Sequence, residues 1–176
     1  MRGAERVSPK WGTPPVGGSM KRPKLAVTAM DKPIAELARK SDHKTLAIWA
    51  ADCAERVLPY FEEKYPEDTR PREAIEATRE WARTGVFRMA DVRRTSLAAH
   101  AAARMVQEGD PAHSAARAAG QAMATAHVPT HAIAAALYAA TAIRDAADPD
   151  DADSATLKER DWQYRHLLEL TGKSGS

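Results

Sequence analysis

Two histidines four residues apart are the first feature of the sequence with the right chemistry for a site. On a continuous helix, His127 and His131 would lie on one face at a separation suited to a metal ion. Pro129 stands between them and predicts that a helix begins only near Thr130, with His127 in the preceding turn. The pair is therefore a weak metal candidate. The structural alternative is two histidines that hydrogen-bond the backbone at a buried helix junction.

A second pair, Arg94 and His100, lies within one predicted helix. Its spacing resembles the loose Arg-x(4–6)-His signature of the all-helical HEPN ribonucleases. In such an enzyme the arginine would stabilise a phosphate transition state and the histidine would move protons. A six-residue offset places the two side chains on different faces of a straight helix, so a packed histidine is the competing interpretation. Ribonuclease activity is a lesser alternative.

Charged side chains form the third group of candidates. Arg70 and Arg72 open one predicted helix, which later carries Arg79 and Glu80, while Asp52, Glu55 and Arg56 lie on the helix before it. Bidentate pairs between arginine and carboxylate are strong where they are partly buried and worth little where they are solvated. Two interpretations stay open: a lattice of ion pairs that fixes the packing of the two helices, or a polar rim that recognises another protein.

Other catalytic signatures are missing from the sequence. It holds no glycine-rich phosphate loop, no Ser-His-Asp elbow and no paired-cysteine motif, and no cofactor is expected. The single Cys53 cannot form an internal disulfide and no secretory pattern is recognisable, which favours a cytoplasmic setting. No apolar run approaches the roughly 18 residues that a bilayer requires, so no membrane span is expected.

Composition predicts the elements that must position these candidates. Alanine supplies 37 of the 176 residues, against 5 isoleucines and 2 phenylalanines. Alanine is the best helix former, whereas strands use β-branched and aromatic residues, so an all-α fold is expected. Between residues 101 and 150 lie 20 of the alanines. We therefore predict a single compact domain of six to seven helices with an alanine-rich central layer.

Periodicity and end signals indicate where these helices lie. The predicted ranges are about 32–39, 43–64, 70–84, 89–107, 111–125, 130–146 and 154–170. Ser41 and Asp42 are expected to cap the second helix and Thr69 the third. Pro59 should kink the second helix or end it nearby, and Gly172 should end the last one.

Charge separates the ends of the chain from its body. We interpret residues 1–19 as a flexible arm, tag or linker, residues 20–170 as the domain and residues 171–176 as a polar tail. Residues 1–24 carry a net charge of +5, so the remaining chain carries −3. A mildly acidic body argues against general nucleic-acid binding, which normally needs a basic face.

Five stretches resemble one protein family. They are SDHKTLAIWAADCAERVLP at 41–59, RPREAIEA at 70–77, AAHAAAR at 98–104, AHVPTHA at 126–132 and ERDWQ at 159–163. Together they are similar to the immunity-protein-five-like helical family of bacterial polymorphic toxin systems, over about residues 35–168.

The resemblance implies a protein that neutralises a cognate protein toxin by binding, not by catalysis. On this interpretation the candidate contact residues are polar and aromatic: Asp42, His43, Asp52, Glu55, Arg70, Arg72, His127, His131 and Trp162. The main alternative is a small-ligand or metal pocket between the Asp52 helix and the junction of His127 and His131. A homodimer is left open.

Overall fold

The polar candidates are carried by seven helices in the computed structural model, which describes residues 24–173. Their bounds are Asp31–Arg39 (α1), His43–Glu62 (α2), Arg70–Thr84 (α3), Met89–Arg104 (α4), Pro111–Ala124 (α5), His131–Ala146 (α6) and Ala152–Lys173 (α7). No strand occurs between residues 24 and 173, which confirms the all-α prediction. The arm predicted at 1–19 lies outside the described residues, as do residues 174–176 of the tail.

Local chemistry explains where several helices begin and end. Asp42 caps α2, because one of its carboxylate oxygens accepts the backbone N–H of Thr45 at 2.9 Å. Asp110 caps α5 in the same way through the N–H of Ala112. Gly85 ends α3 in the left-handed conformation, with φ of +69°, which glycine adopts without strain. These ends agree with the sequence prediction.

Two of the predicted caps are wrong. The Ser41 hydroxyl donates back to the carbonyl of Leu37 at 2.9 Å, so it closes α1 instead of opening α2. Thr69 occupies the position before α3, but its hydroxyl donates to the carboxylate of Glu73 and caps no backbone group. In each case the hydroxyl donates to a nearby acceptor, and its oxygen caps no backbone N–H of the following helix.

Two further helix ends test the sequence signals. The second helix passes Pro59 and ends one turn later at Glu62, as expected. The last helix continues through Gly172 to Lys173, so this glycine does not end it. A helix stops at glycine when that residue takes the left-handed conformation, and only Gly85 and Gly109 have positive φ among the described residues.

Alanine packing places α5 at the centre of the domain. This helix contacts α2, α3, α4 and α6, and its fully buried methyl groups belong to Ala112, Ala115, Ala116, Ala118, Ala119 and Ala122. The alanine-rich central layer is thereby confirmed. Larger core side chains, including the fully buried Trp49, fill the space around α2. The fourth helix packs only against α3 and α5 to any extent, so it lies at the edge of the layer.

Among the described helices, none combines the length and the apolar character needed to cross a bilayer.

Candidate functional site

A chain of ion pairs joins the middle of α2 to α3 and α7. Arg79 of α3 donates to Asp52 at 2.9 Å and also pairs with Glu55. The other carboxylate oxygen of Asp52 lies 2.8 Å from Nε2 of His166 on α7. One carboxylate of α2 is therefore hydrogen-bonded to both neighbouring helices. The predicted lattice between α2 and α3 is present, and it extends to α7.

One turn further along α2, Arg56 makes a second connection to α7. Its Nε and Nη2 donate to the carboxylate of Glu159 at 3.1 and 2.9 Å, and that carboxylate is almost fully buried. The guanidinium carbon also lies 3.8 Å from the centroid of the Trp162 ring, a cation–π distance. The Trp162 ring in turn stacks on His166, with 4.8 Å between centroids.

These side chains line a shallow depression of about 250 Å³. Its lining residues are Asp52, Glu55, Arg56, Trp162 and His166. The structure thus brings together three of the residues predicted from sequence: Asp52, Glu55 and Trp162. We call the connected set Asp52, Glu55, Arg56, Arg79, Glu159, Trp162 and His166 the α2–α3–α7 network.

Sequence reasoning missed His166 and the pairing of Glu159. A signal was available, because Glu159, Trp162 and His166 follow one another at three- and four-residue steps and so share a face of α7. What the sequence does not reveal is that this face packs on α2.

Beneath the network the interior of the domain is tightly packed. The Cys53 thiol is completely buried, and its pKa is raised well above the usual range by burial, with the carboxylates of Glu159 and Asp52 adding to the effect. A thiol in this environment stays protonated, which makes it a poor nucleophile. Cys53 is a packing residue here.

The remaining arginine candidates lie at the turn between α2 and α3. Arg72 makes a bidentate pair with Glu62 of α2, with nitrogen to oxygen distances of 2.5 and 2.8 Å. Arg70 pairs with Asp68 in the turn itself at 2.6 Å, and this hydrogen bond holds the pKa of Asp68 below its usual value. Arg72 therefore links two helices, whereas Arg70 stabilises a local turn.

His43 and Asp42 lie at the other end of α2. Nε2 of His43 donates to the carbonyl of Thr125, just past α5, and the ring packs against Trp81 with 4.6 Å between centroids. Hydrogen bonds from Thr45 lower the pKa of the Asp42 cap. His43 therefore holds the start of α2 to α3 and to the end of α5, whereas the hydrogen bonds of Asp42 stay within α2.

The predicted histidine pair lies at the junction of α5 and α6, with His127 in the turn, as the position of Pro129 indicates. Nδ1 of His131 is 2.7 Å from the amide oxygen of Gln121, and burial lowers the pKa of this histidine. His127 is exposed and stacks on Phe87 at 6.3 Å. Within residues 24–173 no three histidine, cysteine or acidic side chains come together as a metal site would require.

The histidine of the ribonuclease-like spacing is enclosed between α4 and α5. Nδ1 of His100 lies 3.3 Å from Arg117, and the ring packs directly on Gly120. Burial lowers the pKa of His100 to about 4, and the charges of Arg117 and Arg104 add to this effect. Arg94 pairs instead with Asp91 on the exposed side of α4. The arginine that contacts His100 is therefore Arg117.

The depression beside Asp52 does not extend to the predicted histidine pair. Neither His127 nor His131 lines the depression beside Asp52. The histidine pair belongs to the side of the domain formed by α4, α5 and the start of α6, whereas the depression lies among α2, α3 and α7.

The fold and these clusters define an all-α domain in which hydrogen bonds and ion pairs between polar side chains connect the helices. The chain belongs to the Imm-5 like family: the family model, described as "Imm-5 like putative immunity protein", matches residues 36–170. That range contains α2 to α6, nearly all of α7 and the end of α1, and it confirms the resemblance found in the sequence. No curated protein and no solved structure matches the chain.

Proposed function

We propose that this protein is an immunity protein that binds a protein toxin and neutralises it with a preformed helical surface, without catalysis. The family match over residues 36–170 is the observation that carries the proposal. Proteins that inhibit by binding commonly cover about 1,600 Å² of total surface around a few anchoring side chains.

The hydrogen bonds and ion pairs inside the domain support the proposal that it presents a rigid binding surface. Nε of Arg160 is the sole buried side-chain nitrogen or oxygen without a hydrogen-bond partner in the described part of the chain. The α2–α3–α7 network ties three helices together through partly buried ion pairs. A surface that is already ordered loses little conformational entropy on binding, which favours tight association.

The nine residues predicted as contacts enter this proposal in two ways. Asp42, Asp52, Arg70 and Arg72 are engaged inside the domain, and we assign them to holding the helices in place, with His43, Glu55 and His131. Exposed His127, and Trp162 at the rim of the depression, keep surface available for a partner and stay proposed contacts.

Rescue of growth tests the proposal. The chain is co-expressed in bacteria with the toxin encoded beside its gene, and the two proteins are then purified through a tag on the toxin. Rescue together with a stable complex is the expected result. Because Ile75 is almost fully buried, Ile75→Asp should abolish rescue by unfolding the domain and serves as the negative control. Neither rescue nor complex formation by the unsubstituted chain would contradict the proposal.

A further inference from the structure

The outward side of α4 carries an unusual stripe of side chains. Arg93, Leu97, His100 and Arg104 follow one another at steps of four, three and four residues; Arg93, Leu97 and Arg104 are exposed, whereas His100 lies at the edge of the stripe with its ring packed on Gly120 of α5. The opposite side packs against α3 and α5 through Val92, Ser96, Ala99, Ala102 and Ala103. We call the stripe, together with Arg117 of α5 behind it, the α4 face.

Three arginines of the α4 face make no ion pair among residues 24–173, although Glu108 lies close enough to Arg117 for that positive charge to help lower the pKa of Glu108. Most described arginines pair with a carboxylate, as Arg56 and Arg79 do. Arg93, Arg104 and Arg117 have no ion pair with any residue between 24 and 173. The chain from residue 25 onward is net negative by three charges, so this face is a local excess of cations on an acidic body.

The pKa of His100 reflects the same local excess of positive charge. After burial, the influences that lower its pKa are the positive charges of Arg117 and Arg104 and the neighbouring His131. Its Nδ1 therefore accepts a hydrogen bond from Arg117 as a neutral imidazole. A carboxylate close to His100 would instead raise the pKa of this histidine.

Apolar surface is interleaved with these cations. Leu97 is 56% exposed in the middle of the stripe, and Met105, just past the end of α4, is 76% exposed. Arginine and methionine are enriched at protein interfaces, and a guanidinium binds a carboxylate through two parallel hydrogen bonds. The combination suits a partner surface that offers carboxylates around an apolar group.

We propose that the α4 face is the main part of the surface that binds the toxin, and that the toxin meets it with an acidic patch. This inference rests on the proposed function and adds to it the surface used and the chemistry of the partner. The carboxylates of the toxin pair with Arg93 and Arg104, and an apolar side chain of the toxin covers Leu97.

A compact acidic protein patch fits the charge pattern better than an extended polyanion does. The neighbouring helix α3 carries the exposed carboxylates Glu73, Glu76 and Glu80. A nucleic acid or an anionic bilayer that reached beyond α4 would meet a mixture of these carboxylates and the arginines of α3, such as Arg83 beside Glu80, and three unpaired arginines release few counterions. A protein patch of limited size meets the cations alone.

Charge reversal on α4 tests the inference. The probe is the toxin encoded beside this gene, made catalytically inactive, and its Kd is measured with the full chain at several salt concentrations. Arg93→Glu/Arg104→Glu should weaken binding by about 100-fold or more and flatten the salt dependence. The matched control, Lys32→Glu/Arg39→Glu, makes the same change of charge on the exposed side of α1 and should stay within about threefold of the unsubstituted chain.

Further variants keep the result interpretable. Arg93→Lys/Arg104→Lys retains the charges but loses the bidentate geometry, so its affinity should fall between that of the unsubstituted chain and that of the double reversal. If the double reversal lowers Tm or the helical signal, Arg93→Gln and Arg104→Gln are compared singly. Each should then weaken binding by about tenfold.

The possible failures are distinguishable. If the unsubstituted chain binds the toxin and charge reversal does not weaken that binding, the inference is overturned and the proposed function still stands. No binding by the unsubstituted chain overturns both. The chain is also tested against a short RNA duplex and phosphatidylserine vesicles at about 0.15 M salt. If it binds either one tightly and charge reversal abolishes that binding, the partner of the α4 face is a polyanion and the inference is overturned.

Discussion

Nε2 of His166 lies 2.8 Å from Oδ2 of Asp52, although the two residues are 114 positions apart in the chain. The remaining oxygen of Asp52 accepts from Arg79 at 2.9 Å. A carboxylate shared in this way fixes the relative positions of three helices. Removal of the Asp52 carboxylate should therefore first of all lower the stability of the folded domain.

We expect Asp52→Asn to lower the free energy of unfolding by about 1–2 kcal/mol, because Arg79 and His166 lose a charged acceptor in a partly buried site. Urea unfolding followed by circular dichroism measures the change. Glu55→Gln is the matched control: its carboxylate is 43% exposed and shares the same arginine, so less than about 1 kcal/mol is expected. An Asp52→Asn protein of unchanged stability that no longer binds the toxin would instead identify Asp52 as a contact residue.

Trp162→Ala removes the ring between Arg56 and His166 and should cost about 1–2 kcal/mol of stability. Trp162→Phe keeps an aromatic face and should recover part of the loss. Both variants are also titrated against the inactive toxin. A drop in affinity for Trp162→Ala larger than the one caused by Asp52→Asn supports its proposed contact role, and equal affinities assign the ring to packing.

Gly120→Ala should destabilise the domain by about 1–3 kcal/mol, because a methyl group there would come within 2.7 Å of the His100 ring. The matched control is Gly172→Ala in α7, where the added methyl group meets no atom within 4 Å and alanine should stabilise slightly.

His100→Ala combined with Gly120→Ala completes a double-mutant cycle. The cost of Gly120→Ala should shrink in the His100→Ala background, since the clashing ring is gone. If the two changes prove additive, the contact between ring and glycine is not the source of the loss.

Stability should fall as the pH is lowered from 6.5 towards 4, and His100 should contribute to the fall. Its pKa of about 4 in the folded protein lies below the ordinary 6.5, so in this window the unfolded chain binds the extra proton. The contribution is fully present above pH 6.5 and amounts to at most about 3 kcal/mol. His100→Gln should give a shallower slope of unfolding free energy against pH between 4.5 and 6.5. Equal slopes for the two proteins would contradict the assignment.

Cys53 should be unreactive towards thiol reagents in the folded protein. It is completely buried and its thiol is held protonated, and it is the single cysteine of the chain. Labelling by a maleimide should therefore follow the fraction unfolded along a urea titration. Rapid labelling without denaturant would show that α2 and α7 separate readily.

Sequence signals succeeded where a single segment determines the outcome. Asp42 and Gly85 end or begin helices because of their own hydrogen bonds and backbone preferences, and both were predictable. Ser41 and Thr69 were mispredicted, since each hydroxyl donates to a local acceptor and neither caps the next helix, and the sequence does not say which arrangement is adopted.

Pairings between helices were predictable only in part. Arg79 and Asp52 could be expected to meet because α2 and α3 are joined by a short turn. The partner of Arg56 is Glu159 on α7, more than a hundred residues away, and nothing in the local pattern indicates which helix packs there. The contact of His100 with Gly120 likewise depends on how closely two alanine-rich helices approach.

The position of α4 at the edge of the alanine layer has an evolutionary consequence. A side chain on α5 is surrounded by four helices, so a larger substitute there would force several backbones apart. At the exposed positions of the α4 stripe, Arg93, Leu97 and Arg104, a residue can be exchanged without disturbing that packing. New recognition specificity can therefore arise there one substitution at a time, while the interior keeps the same shape.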